Sequence, residues 1–184
     1  VPVNAYPWQR EGVAQAVTAM RRGYGFYLAW DPGMGKSLGA ILTARLLRAR
    51  RILVVTVKAG LGVWQREIPR WWPEAGIILY RGEELETVRE GAEATFVVTN
   101  YEQLRRKRDR ETKDLLPHAY RAELLSHPPD MVILDESHFV KAPSSEQGVT
   151  MRLIAERAKY RLLMSGTPAH SPLDWHSQYR LIDP

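Results

Sequence analysis

The stretch "LAWDPGMGKSLGAILTARLL" (Leu28–Leu47) decides how the chain is read. Its first residues end an apolar run with the character of a buried strand. From Ser37 onward, Leu38, Ile41, Leu42, Ala44, Leu46 and Leu47 give a broad apolar face at helical spacing. Between them lie two glycines, a lysine and a serine. A strand, a glycine-rich turn and a helix start together form a cradle for phosphate. Gly33, Met34 and Gly35 can bring backbone N–H groups close to an anion, and the helix N-terminus at Lys36, Ser37 and Leu38 adds partial positive charge. Lys36 has the reach for the outer phosphates, and Ser37 is placed to give its hydroxyl to Mg²⁺. The strict pattern G-x-x-x-x-G-K-[ST] is not met, because Trp30 stands where its first glycine belongs. What remains is the shorter string G-x-G-K-[ST].

Composition limits the classes available. A chain of 184 residues, 45% hydrophobic and 26% charged, is long enough for one domain with a substantial core and short for two. No apolar run reaches the length of a membrane span, and no signal-peptide pattern opens the sequence. The absence of cysteine removes disulfides and thiolate metal sites and suits the cytoplasm, or the nucleus of a eukaryote. A formal charge of +5 raises the expectation of a polyanionic partner, although an arginine-rich composition alone produces the same balance.

Along the chain, apolar strands alternate with helical stretches. Trp8–Arg21 reads as an amphipathic helix ended by Gly23 and Gly25. Phe26–Trp30, "RRILVVTV", "GIILY", "ATFVVT", "MVILD" and "YRLLMS" read as strands. Helices are expected at Leu61–Trp72, Glu83–Glu90 and Ser145–Lys159. This alternation implies right-handed crossovers and a mainly parallel α/β sheet with helices on both faces. Ligands on such sheets bind beyond the carboxyl ends of the strands, where "DPGMGKS", "DESH" and "SGTP" all fall. No linker is evident, so residues 1–184 are read as one domain.

"MVILDESH" (Met131–His138) delivers two carboxylates to the end of a buried strand. Next to a phosphate cradle, Asp135 is the expected Mg²⁺ ligand, direct or through water. Glu136 is the residue to orient and deprotonate an attacking water.

With these residues in view, the chain resembles the superfamily-two helicases and translocases, in their Swi/Snf-like branch. "DPGMGKS" is similar to motif I, "DESH" to the DExH box and "LLMSGTP" (Leu162–Pro168) to motif III. "YPWQREGV" (Tyr6–Val13) resembles the segment whose glutamine, here Gln9, recognises adenine. "ILVVTVKAGLGVWQREIPRW" (Ile52–Trp71) resembles motif Ia with its following helix, and "VVTNYEQL" (Val97–Leu104) resembles motif Ib. "WHSQYRLIDP" is similar to the stretch that closes the first motor lobe. The resemblance spans nearly all 184 residues, and it implies the N-terminal RecA-like P-loop lobe of an ATP-hydrolysing, DNA-dependent motor.

The resemblance assigns roles residue by residue. ATP and Mg²⁺ are the implied cofactors. Lys36, Asp135 and Glu136 carry the chemistry, and Ser37 and Asp135 hold the metal. His138, Ser165 and Thr167 couple the nucleotide to the nucleic-acid face. Lys58, Tyr101, Arg105, Arg106 and Lys141 are expected to contact nucleic acid, most readily duplex DNA. Val57 and Ala59 replace the family's proline and hydroxyl residue, leaving Lys58 as the available phosphate contact, and "AHSP" departs from the usual stretch after motif III. The family's second lobe, with its Q-x-x-G-R-x-x-R motif, is not within these residues. Its arginines complete catalysis from across the lobe interface. It is therefore expected further along a longer chain or on another polypeptide.

Plainer alternatives stand beside these roles. Gln9 could be an exposed glutamine on an amphipathic helix. "RRKRDR" (Arg105–Arg110) either follows a phosphate backbone or is a solvated charged face. Tyr6 and Trp8 suit packing or base stacking, and Trp64, Trp71 and Trp72 suit packing against the sheet. The histidines at 118, 127, 170 and 176 form no set with metal-ligand spacing, so no structural zinc is expected. Two other classes remain open: a nucleotide-binding interaction module without turnover, and, much further off, a P-loop kinase.

Overall fold

The computed structural model describes residues 5–81, 85–104, 123–124, 126–140, 146–167 and 172–183. Arg105, Arg106 and Lys141, expected at nucleic acid, lie outside the described residues, as does everything between Thr167 and Pro172.

Seven strands form one sheet: β1 (Phe26–Leu28), β2 (Arg51–Thr56), β3 (Ala75–Tyr80), β4 (Leu85–Arg89), β5 (Ala94–Asn100), β6 (Met131–Asp135) and β7 (Tyr160–Met164). Their order is β1-β7-β6-β2-β5-β3-β4, and every pairing except β3–β4 is parallel. The helices are α1 (Pro7–Arg21), α2 (Lys36–Leu46), α3 (Leu61–Trp71), α4 (Glu146–Ala155) and α5 (Pro172–Ile182).

The central strands are apolar on both faces because both faces are covered. Ile52, Val54, Ile133 and Leu162 pack with Val13, Met20, Ile41, Trp64 and Ile68 from α1, α2 and α3. Their sequence neighbours Leu53, Val55, Leu134 and Leu163 point the other way, toward Met151 and Ile154 of α4 and Leu181 of α5. A period of two along each strand thus builds two cores.

One expected element is different. The sequence pattern predicts a helix over Glu83–Glu90, but Leu85–Arg89 is an edge strand antiparallel to β3 and exposed throughout. Five residues containing Thr87 and Val88 are too few to sustain an isolated helix, and pairing with β3 gives their backbone a partner. The hairpin closes on a tight backbone contact: a Cβ on Gly91 would stand 1.9 Å from the amide nitrogen of Gly76. Gly91→Ala is accordingly expected to lower stability by about 1–3 kcal/mol through forced displacement, read as a fall in thermal midpoint.

Candidate functional site

The turn after β1 carries the phosphate cradle. Gly33 and Gly35 have φ of 82° and 78°, the left-handed region open to glycine at little cost. Gly35 is the N-cap of α2 and provides no side-chain cap, so the first N–H groups of α2 face the loop. The Lys36 ammonium lies across this loop, donating to the carbonyl oxygens of Trp30 at 2.9 Å and Asp31 at 3.3 Å. An ammonium has three N–H donors, so one remains for an anion.

Trp30, the departure from the longer phosphate-loop pattern, is a wedge. Its ring sits edge-on to Trp8 with centroids 5.1 Å apart. A Cβ on Gly12 of α1 would approach it to 2.5 Å, and one on Gly39 of α2 to 2.8 Å. The position therefore ties α1 to α2.

Gln9 connects the first helix to the cradle. Its Oε1 accepts from the backbone N–H of Tyr6, and its Nε2 donates to the carbonyl of Met34, both at 3.0 Å. It is 5% exposed, so the reading of an exposed surface glutamine does not hold. Tyr6 and Trp8 stack in parallel in front of it, with ring centroids 6.0 Å apart.

The acidic motif arrives from β6. Leu28, Met164 and Asp135 are register partners across β1, β7 and β6, so the cradle and the acids leave the same end of the sheet two strands apart. At about 4.8 Å per strand that separation is roughly 10 Å. Asp135 Oδ2 accepts from Thr56 Oγ1 at 2.8 Å and Trp64 Nε1 at 3.0 Å. Burial pushes the Asp135 carboxyl above the ordinary carboxylate value. The two hydrogen bonds pull it back, the charge of Glu136 raises it, and Lys36 lowers it.

Glu136 has φ of +54°, a conformation that costs a residue with a Cβ on the order of 1–3 kcal/mol. Neighbouring contacts hold it there. Tyr101 Oη donates to the carbonyl of Asp135 at 2.8 Å, Phe139 N–H donates to the carbonyl of Glu136, and Ser165 Oγ donates to Glu136 Oε2 at 3.1 Å. His138 Nδ1 lies 3.0 Å from Ser165 Oγ and 3.3 Å from Glu136 Oε2. Thr167 N–H closes the cluster by donating to Ser165 Oγ. The structure thus brings Glu136, His138, Ser165 and Thr167 together.

Tyr101 needs correction. It was expected at nucleic acid, but it is 3% exposed, with its hydroxyl on the Asp135 carbonyl and its ring stacked on Phe139. Burial, reinforced by the nearby charges of Asp135 and Glu136, pushes its hydroxyl well above the ordinary tyrosine value. Lys58 is exposed in the 3₁₀ turn Lys58–Gly60 after β2, at the same end of the sheet.

Sequence reasoning passed over two donors. Thr56 and Trp64 are fully buried and both meet Asp135. The signal was present for Trp64: a buried indole N–H needs an acceptor, and packing alone does not supply one. A third contact was also missed: Tyr27 Oη donates to Ser137 Oγ, which donates to Gln178 Oε1 on α5, both at 2.8 Å.

The donor set suits Mg²⁺. Among the described residues, no three His, Cys, Asp or Glu side chains cluster as a cation cage. Mg²⁺ is commonly held by one or two protein oxygens together with substrate phosphates. Asp135 and the Ser37 hydroxyl are of that kind.

A family model described as the SNF2-related domain matches residues 8–181. The chain belongs to this family. Among curated relatives, a SWI/SNF-related matrix-associated actin-dependent regulator of chromatin subfamily A-like protein 1 homolog from Caenorhabditis elegans is 29% identical over 97% of the chain. The ISWI chromatin-remodeling complex ATPase ISW1 from Saccharomyces cerevisiae is 27% identical over 96%. The chain spans 24% and 15% of those two proteins. Among solved structures, the Sulfolobus solfataricus SWI2/SNF2 ATPase core in complex with dsDNA superposes with a TM-score of 0.79 at 21% identity, covering 99% of this chain and 36% of that one. This SNF2-related domain therefore has the RecA-like fold of that core.

Proposed function

We propose that the chain is the N-terminal, ATP-binding lobe of a DNA-dependent ATPase that couples hydrolysis to movement on duplex DNA. One observation carries this reading. The cradle at Gly33–Ser37 and the acids Asp135 and Glu136, almost a hundred positions apart, leave the sheet at one end in register through Met164, with Lys36 close enough to act on the Asp135 carboxyl.

Roles follow from placement. Gln9, braced between Tyr6 and Met34 beside the loop, is assigned to the adenine edge, with Tyr6 and Trp8 offering ring surface beside it. The N–H groups of the loop and of α2, with Lys36, bind phosphate. Ser37 and Asp135 hold Mg²⁺, which supplies charge neutralisation at the phosphates. Glu136 takes the proton of the attacking water. Ser165 contacts both the base and His138, so the cluster is built to register the γ-phosphate and pass its state to motif III. Lys58 supplies a phosphate-backbone contact. A second RecA-like lobe, in cis or trans, brings the arginines that stabilise the transition state.

Duplex DNA is the favoured track, because the superposable SWI2/SNF2 core is a dsDNA complex and because the sequence carries a net charge of +5. Among the described residues no helix is long and apolar enough to cross a membrane. The proposed location is that of the DNA: the cytoplasm of a prokaryote or the nucleus of a eukaryote.

The test is nucleotide binding and phosphate release by the full-length protein, with and without duplex DNA. ATP binding preferred over GTP, with release raised by DNA, is the expected result. Binding without release under any condition would instead make this lobe an interaction module. Transfer of the γ-phosphate to a small acceptor would make it a kinase.

A further inference from the structure

Asp135 has two carboxylate oxygens, and the structure treats them differently. Oδ2 is turned inward onto Thr56 Oγ1 at 2.8 Å and Trp64 Nε1 at 3.0 Å, and both donors are fully buried. Neither donor can easily turn away. Thr56 closes β2, where a Cβ on Gly60 would stand 2.2 Å from its hydroxyl, so the space behind that oxygen is already filled by backbone. Trp64 lies in the first two turns of α3, its ring locked in the core with Ile68 and Phe96.

We infer that Trp64, with Thr56, is a positioning residue for the metal carboxylate: the two hydrogen bonds saturate Asp135 Oδ2 and orient Oδ1 toward the cradle as the single cation-facing oxygen. This role rests on the reading of the site as one for ATP and Mg²⁺. Its physical basis is general. A liganding carboxylate is fixed by its outer hydrogen bonds, and their loss typically weakens metal affinity ten- to a hundred-fold. Packing alone gives no reason for the contact, since a phenylalanine ring fills much of the same volume without an N–H. The sequence also places both donors on one unit, the end of β2 and the start of α3. Lys58 sits between them on the exposed turn.

The experiment measures binding of a fluorescent ATP analogue to the full-length protein as free Mg²⁺ is varied. Trp64→Phe is expected to move the Mg²⁺ midpoint upward about ten-fold while affinity for metal-free nucleotide is unchanged. Thr56→Val, nearly isosteric, is expected to move it in the same direction. It also serves as the decisive variant if Trp64→Phe does not fold. A midpoint equal to wild type in the folded variants overturns the positioning role. So does an equal loss of affinity with and without Mg²⁺, which marks general damage to the pocket. If the wild-type protein binds nucleotide with no dependence on Mg²⁺, the reading of the site fails, and this role with it. That outcome is seen in the wild type, and the other two only in the variants.

Discussion

Glu136→Gln leaves nucleotide bound and lowers phosphate release by about 10²–10⁴-fold, the usual contribution of a positioned general base. Glutamine keeps the length and the hydrogen-bonding oxygen of glutamate, so the Ser165 contact survives, while the group that accepts the proton is gone. The backbone restraints at this position do not involve the side chain: Tyr101 holds the preceding carbonyl and Phe139 N–H holds the carbonyl of residue 136 itself. The left-handed conformation is therefore expected to persist. Paired measurements on the full-length protein, one of nucleotide affinity and one of DNA-stimulated phosphate release, separate binding from chemistry. Release at the wild-type rate would move the base elsewhere.

Lys36→Ala acts earlier, on binding. The ammonium spans the cradle between the carbonyls of Trp30 and Asp31 and has a third donor for phosphate. Hydrogen bonds to charged groups contribute about 1.5–3 kcal/mol, which corresponds to a loss of roughly 10- to 150-fold in nucleotide affinity. Removal also takes away the tie across the loop, so the glycine-rich turn loses part of its preorganisation. Hydrolysis in the full-length protein is expected to vanish with it. Calorimetric titration with ATP reads the first effect and phosphate release the second. An unchanged affinity would show that the cradle does not hold the triphosphate.

Much of the fold was legible because buried parallel strands announce themselves. "ILVV" and "MVIL" are apolar on both faces, a pattern that surface helices do not share, and the glycines at 33 and 35 mark a turn that few other residues could form. The misread segment, Glu83–Glu90, lacks such a signal. It is polar, short and at the edge, where the partner strand rather than local preference decides the conformation. At the site, the residues that lie next to one another in sequence were found from the motifs. The contacts between distant strands were not. That Tyr101 would point inward to Asp135, that Thr56 and Trp64 would meet the same carboxylate, and that Gln178 would meet Ser137 all depend on strand order. No spacing in one dimension encodes that order.

The wedge at Trp30 links the fates of three positions. Glycine inside a helix costs about 1 kcal/mol against alanine, yet both α1 and α2 carry one, at Gly12 and Gly39, each facing the indole. The bulky ring makes those glycines necessary, and the glycines make room for the ring. Changing position 30 alone to glycine would complete the longer phosphate-loop string and open a void between two helices, while enlarging residue 12 or 39 alone would collide with the ring. The effects of substitutions at these three sites are therefore expected to be non-additive, so the abbreviated loop is held in place by helix packing as well as by phosphate chemistry.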